Sequence, residues 1–97
     1  MTMSYRAGSN WSEQNEIRCL IIFRRLQDEG FPRGRLAEYC REMSRSTKIP
    51  TGSISAKVCN YKSLAGVNAD SNASRNSRKV FEKYGQLSIQ ELEGLAT

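Results

Sequence analysis

The chain has 97 residues, a net charge of +5 and no histidine. That length allows one small domain with a modest core, and its longest apolar run, Cys19 to Phe23, is far shorter than the roughly 18 residues a membrane span needs. The start, MTMSYRAGSN, has no hydrophobic stretch like that of a secretory signal, so a cytoplasmic protein is expected.

Residues 1–10 lack periodicity and finish on Gly8, Ser9 and Asn10, which reads as a flexible arm ahead of a single domain over 11–97. A first helix is predicted from Ser12, whose side chain suits an N-cap, with Glu13 and Glu16 in the first turn, where acids favour the helix dipole. Trp11 stands just before the cap, placed for a staple-like contact with Ile17. Ile17, Leu20, Ile21, Phe23 and Leu26 make a wide apolar stripe at helical spacing. Gly30 ends the helix, and Phe31–Pro32 turns the chain. The second helix is predicted over about 33–43, with Leu36, Tyr39 or Cys40, and Met43 inward. Residues 44–50 read as a loop, closed by a proline that disfavours helix at Ile49.

A third helix starts at Thr51 and carries Ile54, Val58, Tyr61 and Leu64 or Ala65 along one side. The stretch 66–73, rich in Gly, Asn, Asp and Ser, reads as a loop. A fourth helix over 74–84, capped by Asn72 or Ser74, turns Val80, Phe81 and Tyr84 inward and stops at Gly85. A short last helix follows Ser88, which forms a capping-box pattern with Glu91. No strand pattern or internal repeat is visible. The expected fold is all-α, a small domain of four to five helices with a helix-turn-helix-like arrangement.

Cys19, Cys40 and Cys59 are widely spaced, form no CxxC pair and lack a histidine to complete a mixed zinc site. Each falls on the apolar face of a predicted helix, where a thiol acts as a small hydrophobe. Free thiols in a reducing compartment are expected, with no metal or other cofactor. Catalysis is not expected either. The usual general base is missing, no acid-x-Lys triplet or Gly-rich phosphate loop occurs, and no activating partner for Cys40 or Cys59 is apparent.

The positive charge is spread unevenly. Between Ser44 and Lys79 the cations Arg45, Lys48, Lys57, Lys62, Arg75, Arg78 and Lys79 are accompanied by one acid, Asp70. Clustered cations focus field on one surface and suit a polyanionic partner. The stretch PTGSISAKVCNYKSL, Pro50 to Leu64, sharpens this. Thr51 can cap its helix, and Gly52 and Ser53 leave the first turn open, so backbone N–H groups can approach a phosphate. Ser53, Ser55, Lys57 and Asn60 lie off the apolar stripe. Ser and Asn side chains read base edges or phosphate oxygens, whereas lysine adds backbone attraction. A basic turn before such a helix suits entry into the major groove. Arg75, Asn76, Arg78 and Lys79 occupy the first two turns of the fourth helix, where cations oppose the dipole by about a few tenths of a kcal/mol each, a cost that a phosphate would offset.

Three runs together resemble a known family: Trp11-Ser12 with Asn15 and Glu16; Ser53-Ile54-xx-Lys57-Val58-x-Asn60-Tyr61-xx-Leu64; and Ser74-xxx-Arg78-x-Val80-Phe81-xx-Tyr84. The resemblance is to the N-terminal recognition module found before HNH nuclease domains in prokaryotic and phage restriction-type and homing-type proteins. It spans about Trp11 to Leu95, with the Ser53–Leu64 run its most specific part. It implies a helical, helix-turn-helix-like DNA reader, with Ser53, Ser55, Lys57 and Asn60 on the DNA-facing helix. The sequence has no histidine and ends at Thr97, so the nuclease chemistry is not expected to accompany it.

The expected protein is a sequence-specific binder of double-stranded DNA, a small repressor or site-occluding factor of phage or mobile-element type. It would read the major groove with helix 51–64 and hold the backbone with Arg45, Lys48, Lys62, Arg75, Arg78 and Lys79. A homodimer would imply a palindromic target. The rival is a module or inhibitor that docks on a host or phage protein through the first helix or the acidic last one. RNA is disfavoured because Trp11, Tyr39, Tyr61 and Tyr84 mostly fall on core stripes, which leaves little stacking surface. No membrane or small-molecule partner is expected.

Overall fold

The structure is a computed structural model that describes residues 10–67 and 75–96. It contains five helices, α1 (Glu13–Glu29), α2 (Arg35–Thr47), α3 (Thr51–Leu64), α4 (Arg75–Tyr84) and α5 (Ile89–Ala96), and no strand among the described residues. The expected arm over 1–10 falls almost wholly outside those residues, as do Asn72 and Ser74, the expected caps of α4.

Helix α1 is the axis of the fold, and each of the other four packs against it. Its middle is buried around the whole circumference: Cys19, Leu20, Ile21, Ile22 and Phe23 are all inside, with Ile17 and Leu26. A helix hydrophobic on all sides belongs in the middle of a bundle. Its ends are chemically defined. The Ser12 hydroxyl accepts from the Asn15 amide at 3.1 Å, satisfying one of the free N–H groups of the first turn. Gly30 closes the other end at φ 80°, donating to the Leu26 and Gln27 carbonyls.

Helix α2 differs from its expected span at both ends. It begins at Arg35, after Gly34 in the left-handed conformation, and runs on through Thr47. The Ser44–Thr47 stretch carries no apolar periodicity, which is why it reads as loop. In that last turn the Ser46 and Thr47 hydroxyls also donate to the Met43 carbonyl, at 3.1 and 2.8 Å. Lys48, at φ 64°, then closes the helix by donating its amide to Ser44. Arg45 thus stands in the last helical turn, where a cation suits the dipole.

Only residues 48–50 join α2 to α3, and the two helices pack together. Ile49 is buried and anchors that connection. A pair of packed helices linked this tightly is the architecture of a helix-turn-helix unit. Ile54, Val58 and Tyr61 form the inner stripe of α3. Thr51 is the first residue of the helix and not its cap. Pro50 occupies the cap position, and its carbonyl accepts from Ser53 and Ile54.

In α4, Val80 and Ser77 are buried, with Phe81 and Tyr84 packed at the margin of the core. The capping box of α5 forms in both directions: the Glu91 amide donates to the Ser88 hydroxyl at 3.1 Å, and the Ser88 amide to the Glu91 carboxylate at 3.0 Å. Leu92 and Ala96 seat α5 on α1. Among the described residues no helix is long and apolar enough to cross a membrane.

Candidate nucleic-acid interface

Helix α3 buries Ile54, Val58 and Tyr61 and exposes its first turn. Thr51, Gly52, Ser53 and Ala56 are exposed, and Ser55 and Asn60 are half-buried. Ser53, Ala56 and Asn60 recur at three- and four-residue spacing and so share the outer face. Because Pro50 supplies no side-chain cap, the Thr51 and Gly52 amides stay at the surface without an acceptor among the described residues. Asn60 likewise makes no side-chain hydrogen bond to them, leaving its amide available.

Beside the start of α3 lies a groove of about 350 Å³, lined by Leu36, Ala37, Cys40 and Arg41 of α2 and by Thr51, Gly52 and Ser55. Arg41 is exposed and lines this groove together with the first residues of α3. It is absent from the site residues expected from sequence. Its position beside α3 depends on the packing of two helices, and the only available signal was its place on the outer side of the Leu36–Cys40–Met43 stripe.

Lys57 is not on the outer face. Its ammonium points inward, 2.6 Å from the Glu16 carboxylate, and its side chain is 17 % exposed. Glu16 is completely buried and accepts two further hydrogen bonds, from the Tyr61 hydroxyl at 2.6 Å and from the Ser77 hydroxyl at 3.1 Å. Lys57 also donates to Ser77 at 3.3 Å and lies 5.1 Å from the centre of the Trp11 ring. Burial, reinforced by the adjoining Glu16 charge, pushes the Tyr61 phenol well up, so it remains a donor. Two expectations are corrected here. Glu16 stands in the first turn of α1 as expected but is buried in the core and not at the surface, and Lys57 is its counter-ion and not a member of the outward polar set. Position 57 adjoins 58 and lies one turn after 54, on the edge of the apolar stripe, and a four-carbon stem reaches over that edge to a buried carboxylate.

The remaining cations separate by whether they have a partner. Arg25 pairs with Glu93, and Arg35 with Glu29 and Glu38. Arg24 donates to the Gly85 and Leu87 carbonyls, and Arg18 to that of Ala96. Lys62 is half-buried, its ammonium 4.8 Å from the centre of the Phe31 ring, which turns it toward the α1–α2 connection. By contrast Arg33, Arg41, Arg45, Lys48, Arg75, Arg78 and Lys83 are exposed and have no carboxylate within 4 Å among the described residues. Asn76 and Lys79 are half-buried on the same first turns of α4. Helix α4 packs on α3, so Arg75 and Arg78 stand on a helix beside α3, and Arg45 and Lys48 precede α3 in the chain.

Burial also pushes the Cys19 and Cys40 thiols up, and Cys59 is half-buried and in no disulfide. No group of three or more His, Cys, Asp or Glu among the described residues is placed to hold a metal ion.

The described residues form an all-α, five-helix domain with a short α2–α3 link and exposed cations on α2, on that link and on the first turns of α4. A scan against family models finds no match, and neither does a search of curated proteins or of solved structures. The resemblance to the HNH-associated module therefore rests on the residues quoted for it.

Proposed function

We propose that the protein binds double-stranded DNA, with the start of α3 in the major groove, and acts without catalysis as a repressor or site-occluding factor. One observation carries this reading. Five of the exposed cations that lack a carboxylate partner among the described residues, Arg41, Arg45, Lys48, Arg75 and Arg78, lie on α2, on its link to α3 or on the first turns of α4, the elements next to α3, while the arginines of α1 are engaged with α5 and the α4–α5 turn. Unneutralised cations around a helix whose first turn is open suit a polyanion of regular spacing. In this reading Ser53, Ser55 and Asn60 meet base edges. The Thr51 and Gly52 amides take a phosphate, and Arg45, Lys48, Arg75, Arg78 and Lys79, with Asn76, hold the backbone. Lys57 and Lys62 leave the contact set and Arg41 joins it. The Ser53–Leu64 likeness to the HNH-associated reader supports the same assignment, and a cytoplasmic, nucleoid-associated location follows from it.

Gel shift against a mixed pool of duplexes at low and high salt tests the proposal. Binding that weakens steeply with salt is expected, with selection recovering a preferred sequence. Ser53→Ala should alter preference at one position, whereas Arg45→Ala should weaken binding to every sequence about equally. No shift at low salt would end the reading. Recovery of one protein partner after nuclease treatment would replace it with a protein-docking role.

A further inference from the structure

The group formed by Glu16, Lys57, Tyr61 and Ser77 joins three helices at one carboxylate. Glu16 comes from α1, Lys57 and Tyr61 from α3, and Ser77 from α4. Packing does not require charge there. Apolar side chains of similar volume would fill the site without desolvating two ions, and such replacements are often neutral or stabilising. What the charge adds is direction. A fully buried carboxylate is satisfied only when each donor stands at hydrogen-bond distance, whereas apolar surfaces tolerate sliding and rotation.

The position of the α4 donor gives this direction a consequence. Ser77 is the most N-terminal buried residue of α4, and it stands between Arg75 and Arg78. The rest of that helix is held by Val80, with Phe81 and Tyr84 at the core margin and a hydrogen bond from the Tyr84 hydroxyl to Glu13. Loosening Ser77 therefore frees the very turns that carry the cations. Lys57 closes the arrangement from the other side, touching both the carboxylate and the Ser77 hydroxyl.

We infer that Lys57 is a positioning residue: paired with Glu16 it locks Ser77, fixes the rotation of α4, and so sets where Arg75 and Arg78 project. The functional half of this inference rests on the DNA-binding reading, and the structural half stands without it.

The experiment uses the full chain and four variants: E16Q/K57M, R78A, their triple combination, and S77A. The Glu16→Gln change keeps an acceptor for Tyr61 and Ser77, and the Lys57→Met change keeps most of the length of the lysine stem. The pair is thus removed without stranding a charge. Amide hydrogen exchange and duplex binding between about 50 and about 200 mM salt are measured on each. In E16Q/K57M the α4 amides should exchange about tenfold faster relative to those of α1, because local opening becomes easier. R78A should weaken binding in the parent by about tenfold at the lower salt and add less than about twofold in E16Q/K57M, since Arg78 has already lost its place.

Unchanged α4 exchange, or a full additive loss from R78A, would overturn the inference. Should E16Q/K57M fail to fold, S77A removes only the α4 donor and must show the same selective loss of α4 protection. A parent chain that binds no duplex at any salt would end the DNA reading, and α4 exchange alone would then decide the positioning role.

Discussion

Glu16 and Lys57 share one ion pair but sit in different surroundings, and the difference is measurable. The Glu16 carboxylate has no exposure, whereas the Lys57 side chain is 17 % exposed beside Trp11. Lys57→Met strands a buried anion that retains only two neutral donors, and the expected loss is about 3–5 kcal/mol. Glu16→Gln keeps an oxygen for Tyr61 and Ser77, and the ammonium left behind can keep Ser77 and the Trp11 face and reach toward water. Its expected loss is smaller, roughly 1–2 kcal/mol. Urea unfolding followed by circular dichroism measures both. Equal losses would mean that the two charges are equally hydrated in the folded state, contrary to the geometry. The same asymmetry explains why this pair was hidden in the sequence: Glu16 fits a favourable first-turn position, and Lys57 fits a basic surface. Nothing local to either residue announces that the two meet across 41 positions.

At the scale of the helices, two glycines end their elements for different physical reasons. Gly30 adopts φ 80°, which an alanine reaches only against its own carbonyl, yet a Cβ there would meet nothing within 4 Å. Gly85 lacks that conformation, but a Cβ would lie 2.4 Å from the Phe81 carbonyl oxygen, a backbone atom that also accepts the Gly85 amide. Gly30→Ala should therefore cost about 1–2 kcal/mol, the penalty for one left-handed residue. Gly85→Ala should cost more, because the α4–α5 turn must shift, and with it the Gly85 carbonyl that Arg24 holds at 2.9 Å. Thermal unfolding should show the larger drop in Tm for Gly85→Ala. Both stops were legible as glycines after an apolar stripe, and so were the Ser12 cap, the inner face of α3 and the Ser88–Glu91 box. These signals act within one helical turn. The last turn of α2 was illegible because no residue after Met43 in that helix is apolar or buried. The neighbours of α3 were illegible because they follow from how three helices dock.

Over the whole molecule, the arginines of α1 and the cations around α3 have opposite fates. Arg18 and Arg24 bind backbone carbonyls at the end of α5 and in the α4–α5 turn, and Arg25 pairs with Glu93 on α5. These contacts hold α5 to α1 and use charge inside the fold. Arg45 and Lys48 before α3, and Arg75 and Arg78 on the helix beside it, have no carboxylate partner among the described residues, so their field extends outward. Counterion release converts that separation into a prediction. In a plot of log affinity against log salt, each cation facing a phosphate contributes about 0.9 to the slope. Arg45→Ala with Lys48→Ala, and separately Arg75→Ala with Arg78→Ala, should each flatten the slope by nearly twice that amount, with little change in sequence preference. Arg25→Ala removes half as much charge from the chain and should leave the slope unchanged, since Glu93 and not DNA is its partner. A uniform flattening across all three variants would mean that net charge alone attracts the polyanion, and that no face of this bundle is selected.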